Sequence, residues 1–154
     1  MSTPPDIYLD TSVIFAAILS PQGGARMLLH LGESGLVHLW VGRQVLKECE
    51  AVVRRKAAHT LPDLALLLEV SGIQIGPDAS TDDLELARRL VQYPPAALVL
   101  AEAIAARPDW FVTHDRQHFS QPLSGEWPFR VGTPGDVLAW FRQQMLLHVK
   151  KKDA

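Results

Sequence analysis

Two short apolar runs far apart in the sequence, Ile7-Tyr8-Leu9 and Trp110-Phe111-Val112, each lead within three residues into a carboxylate, Asp10 and Asp115, with hydroxyl residues beside it. Runs this short and this continuously apolar suit strands buried on both faces, the condition of a parallel sheet covered by helices. Further strand patterns at 37–40, 73–75 and 129–131 alternate with helical patterns at 13–19, 25–31, 42–56, 62–70, 81–90 and 96–106. That alternation predicts an α/β fold, a three-layer α/β/α sandwich on a central parallel sheet. In such a sheet the ligand crevice lies outside the carboxyl ends of the strands, so acids carried there from distant parts of the sequence meet.

The helix boundaries are marked by residue type. Thr11 or Ser12 suits the N-cap of the first helix, Gly32 a stop for the second, and Thr133-Pro134 the start of the last. A length of 154 residues predicts one domain, assigned to 1–147, with 148–154 as a basic tail containing Lys150-Lys151-Lys152. No apolar run approaches the ~20 residues of a membrane span, and residues 1–6 lack the pattern of a signal peptide, so no membrane association and a cytoplasmic address are expected. The lone Cys49 shares a helical face with Val45, Val52 and Val53 and reads as a core residue. A net charge of −2 neither requires nor excludes nucleic acid, because phosphate contacts depend on local clusters such as Arg54-Arg55-Lys56 and Arg88-Arg89.

Asp10 sits at a strand end, where a cation ligand and a helix cap are both served by aspartate. Glu48 lies near Val52 at the edge of the apolar arc of the 42–56 helix, away from Lys47, Glu50 and Arg54. A carboxylate at the border of a buried stripe needs a partner, either a cation or a neighbouring Arg. Asp115 follows Val112-Thr113-His114 and reads as a ligand or as the cap of a turn over Gln117, His118 and Phe119. Three oxygen donors without a Cys cluster favour Mg2+ or Mn2+ over zinc. His114-Asp115-x-x-His118 also admits a transition-metal site or a helical phosphohydrolase, against which the preceding strand argues. Ser12 lacks a Gly-x-Ser-x-Gly elbow and does not read as a nucleophile.

These pieces together resemble the PIN-domain ribonucleases, especially VapC-like toxins of toxin-antitoxin pairs. The resemblance rests on Ile7-Tyr-Leu-Asp10-Thr-Ser12, Val45-Leu-Lys-Glu48-Cys, Trp110-Phe-Val-Thr-His-Asp115 and Val131-Gly-Thr-Pro-Gly-Asp-Val-Leu138. It implies an Mg2+- or Mn2+-dependent endoribonuclease in which Asp10, Glu48 and Asp115 are the metal-binding and catalytic acids. Asp10 and Asp115 would bind directly, and Glu48 would bind or orient water. Thr11, Ser12 and Thr113 would be supporting polar groups, Thr113 holding a bridging water. It further implies a cognate antitoxin that brings a basic side chain to the acids, and a homodimer using residues such as Ile14, Phe15, Met27 and Leu28.

The family's further acid, at the start of the helix before the later strand, falls on Ala96. Glu102 is turned ~240° from that position and is a poor substitute, whereas Asp78, Asp82 and Asp83 lie close enough in sequence to be considered. With three acids the second ion of a two-metal site is expected to bind poorly, which predicts weakened hydrolysis. The alternative is a catalytically degenerate PIN-like protein acting as an RNA- or protein-binding module.

Overall fold

The computed structural model describes residues 3–153. Its centre is β1 (Asp6–Leu9), where Ile7, Tyr8 and Leu9 have no exposed surface. β2 (His38–Val41) and β4 (Trp110–Val112) flank it, and β3 (Gln74–Ile75) and β5 (Arg130–Gly132) complete the order β3-β2-β1-β4-β5. Every pairing is parallel, as the α/β patterning predicts. The chain steps outward from β1 to β2 to β3, then crosses back to lay β4 on the other side of β1. The β1/β4 seam is therefore the point where strand order reverses, the place where an open parallel sheet leaves a crevice.

Among the described residues eight α-helices connect and cover the strands: α1 (Thr11–Leu19), α2 (Gly24–Glu33), α3 (Arg43–Lys56), α4 (Leu61–Val70), α5 (Thr81–Leu90), α6 (Pro94–Ala106), α7 (Arg116–Phe119) and α8 (Pro134–Asp153). α2 lies on β2 and against α8, α8 on β4 and β5, and α5 beside α6. The stripe on α3 buries Val45, Cys49 and Val53, while Arg54 and Glu50 pair on its exposed side. In α6 the buried Ala96, Ala97, Ala101 and Ala103 allow close approach of its neighbours. No single described helix is long and apolar enough to cross a membrane.

Three local expectations change. α1 begins at Thr11 with Asp10 as its N-cap residue and no side-chain cap bond, because both expected capping hydroxyls are committed to carboxylates. Gly32 does not stop α2; a Cβ there would strike the Leu39 side chain and the Ser71 carbonyl, so the glycine serves close contact with β2. The reversal comes at Gly35, whose φ of 76° lies in the left-handed region that glycine adopts freely. Lys150, Lys151 and Lys152 form the last turn of α8 rather than a separate tail, where positive charge complements the helix dipole. Of the residues expected at a dimer surface, Ile14 and Leu28 are core, Phe15 is partly buried and Met27 is exposed.

Candidate active site

Strand register builds the site. Leu9 stands opposite Val112, and the Asp10 amide donates to the Val112 carbonyl at 3.0 Å, so the chain leaves β1 and β4 at one level. Asp10 and Thr113 are the next residues, both buried. The Thr113 hydroxyl donates to Asp10 Oδ2 at 2.6 Å and accepts from the Asp115 amide at 2.9 Å, tying the two acids' segments together. Ser12 donates to Asp10 Oδ2 at 3.2 Å and accepts from the His114 amide at 3.0 Å. Its hydroxyl thus ties the exit of β4 to the Asp10 carboxylate.

Asp10 is 6% exposed, and among the described residues no lysine, arginine or histidine forms an ion pair with it. Burial drives its pKa above the ordinary carboxylate range and the charge of Glu48 adds to that, while bonds from Thr113, the Thr11 amide and Ser12 pull the other way. Glu48 is partly buried on α3; Thr11 donates to its Oε2 at 2.6 Å, and the Gln44 side-chain amide, one turn earlier, donates to its Oε1 at 3.2 Å. The same two acids bear on Cys49, whose thiol is raised to about 12, first by burial and then by the charges of Asp10 and Glu48.

Asp115 has a different set of partners. Its Oδ1 accepts from the amides of Gln117 and His118, each at 3.1 Å, making it the N-cap of α7. Its Oδ2 accepts from His118 Nδ1 at 2.7 Å. The helix-cap geometry considered for Asp115 is therefore present. The His118 ring stacks on Tyr93, with centroids 4.5 Å apart.

Asp10, Glu48, Asp115 and Ala96 nevertheless line one cavity of about 320 Å³, with Lys56 and Tyr93 at its wall. Among the described residues no group of three or more His, Cys, Asp or Glu side chains is arranged to hold a metal ion. The donor chemistry still fits a hard divalent cation: among the described residues Asp10 and Glu48 are oxygen donors that form no ion pair, and Mg2+ commonly takes only one or two protein carboxylates. The other acids considered are occupied elsewhere or stand apart. Glu102 accepts from the amides of Arg43 and Gln44 at 2.8 and 2.9 Å, capping α3. Asp78 pairs with Arg43, Asp83 closes a capping box with Ser80, and Asp82 is exposed and does not line the cavity. Gln44 and Tyr93 were not among the expected residues. A one-turn Gln-to-Glu spacing is a faint signal for the first; nothing in the pattern marks the second.

The family model described as PIN domain matches residues 6–117, from the start of β1 into α7. No curated protein matches the chain.

Proposed function

The chain belongs to the PIN-domain family, whose members are generally nucleases, and from that premise we propose that it is an Mg2+- or Mn2+-dependent endoribonuclease of toxin-antitoxin type. The observation that carries the reading is Asp10: a buried carboxylate at the strand-order reversal, hydrogen-bonded by hydroxyls and, among the described residues, in no ion pair. Burying a charge is costly unless it is compensated, and a divalent ion supplies that compensation. Asp10 and Glu48 would hold the ion, and Asp115 would reach it when freed from His118. Bound there, a divalent cation lowers the pKa of water and offsets charge on the phosphodiester.

The chain's own residues do the positioning. Thr113 and Ser12 fix the Asp10 carboxylate, and Thr11 and Gln44 fix that of Glu48. Lys56, at the rim of the cavity, brings a positive charge for the RNA backbone. Hydrolysis joins a water oxygen to phosphorus as the bond to the departing ribose oxygen breaks, and the water's proton leaves to a base.

Ala96 occupies the third residue of α6 and lines this cavity with a methyl group. We assign it the place of the family's further acid, which lowers the charge available for a second ion and weakens hydrolysis. A cognate antitoxin presenting a basic side chain over Asp10 and Glu48 answers the same charge. The methyl at position 96 and the engagement of Asp115 by His118 favour, as the second reading, a degenerate PIN-like binding module. Cleavage of a labelled single-stranded RNA under Mn2+ titration separates the two. The ribonuclease reading expects cation-dependent products that increase by about tenfold or more in Ala96→Asp. No cleavage by either protein would leave the binding module.

A further inference from the structure

Beside the carboxylate crevice lies a cavity of about 550 Å³ to which the hydrolytic reading gives no role. Tyr93 and His118 line both cavities, and their rings stack 15° from parallel, so the pair forms a common wall. Asp115 anchors His118, whereas Tyr93 is 50% exposed. The wall is thus a flat aromatic surface already held in place. Gln92, Gln117 and Gln121 also line the cavity, are exposed, and make no side-chain hydrogen bond among the described residues. Leu90, Pro94 and Leu123 supply an apolar bed, and no carboxylate lines the cavity.

Three features favour the same occupant. An aromatic face accepts any base by stacking, because every base has a π-face. A free amide carries both donor and acceptor and can read the edge of an unpaired base. A lining without acids admits a nucleotide whose backbone the neighbouring crevice, without its cation, would repel. We propose that this cavity holds an unpaired nucleobase adjoining the phosphodiester in the crevice, stacked on Tyr93 and read by Gln92, Gln117 and Gln121. This assignment rests on the ribonuclease reading.

The test is fluorescence anisotropy of a labelled single-stranded heptaribonucleotide with Ca2+ in place of Mn2+, repeated with each interior nucleotide made abasic in turn. In the unaltered protein, removal of the base at one position weakens binding roughly tenfold. Tyr93→Leu abolishes that dependence, Tyr93→Phe retains it, and Gln117→Leu or Gln121→Leu changes base preference at that position alone. Binding with a flat abasic scan, or a scan unchanged in Tyr93→Leu, overturns the base site and leaves the ribonuclease reading standing. If no oligonucleotide binds and none is cleaved with Mn2+, the ribonuclease reading fails and the base site with it.

Discussion

Two acid-bearing cavities of nearly equal volume, about 320 and 330 Å³, open near the carboxyl ends of the strands, and they use their carboxylates in opposite ways. In the cavity beyond β2, Glu102 caps the first two amides of α3 and Asp78 faces Arg43. Negative charge there meets a helix N-terminus or a guanidinium, both favourable partners. In the cavity at the β1/β4 seam, Asp10 and Glu48 receive hydroxyl, amide and side-chain amide hydrogens but, among the described residues, form no ion pair. The first cavity is a structural joint, whereas the carboxylates of the second are left without an ion-pair partner among the described residues. Gln44 lines the first and links it to the second, its backbone amide donating to Glu102 and its side-chain amide to Glu48. The joint therefore helps orient the acid of the neighbouring site.

The largest expected effect breaks this comparison at its functional side. Asp10→Ala should lower cation-dependent RNA cleavage by at least ~100-fold with the fold retained by circular dichroism. Glu102→Ala should instead weaken α3 by about 1–2 kcal/mol, read as a fall in Tm. Its cleavage should fall only as far as Glu48 is displaced, and a loss equal to that of Asp10→Ala would erase the distinction drawn here.

A smaller effect follows from the burial of Asp10. Its folded-state pKa is raised, so between the ordinary carboxylate range and that raised value the folded state binds more protons than the unfolded one. Stability contributed by this group accordingly falls as pH rises through that window and returns on acidification. Asp10→Asn removes the charge and should raise Tm at pH 7 without cation by ~2–4 °C, corresponding to about 1 kcal/mol, with the gap closing below about pH 4. Thermal melts across pH read this directly; a gap that widens in acid would oppose it. The smallest effect concerns Cys49. With its thiol raised to about 12 and buried, it should resist alkylation by iodoacetamide at pH 8 in the native protein and react on unfolding, as mass spectrometry would show.

Much of the architecture was legible because it rests on local pattern. β4 and α5 occupy their expected residues, and α3 carries the expected apolar stripe. β2 lies one residue later than expected, at His38–Val41, because the ladder pairs Asp6 with His38. The closeness of the β1 and β4 ends follows from α/β topology, so Asp10 and Asp115 could be placed near one crevice from the sequence, and both line it. Side-chain direction was not legible. Thr11 and Ser12 suit a helix cap by residue type, yet both hydroxyls turn to acids that tertiary packing brings near. Asp115 is similarly ambiguous, because one residue type serves both a helix cap and a ligand. The stack of Tyr93 on His118 joins residues from separate elements, and no local periodicity encodes it.

The central claim is that the β1/β4 crevice keeps its charge for a cation. Calorimetric titration of Mn2+ into the unaltered protein and into Asp10→Asn tests it most directly. The account predicts saturable binding to the former and a loss of at least ~10-fold in affinity in the latter. Equal binding by both proteins, or none by the unaltered one, would contradict it.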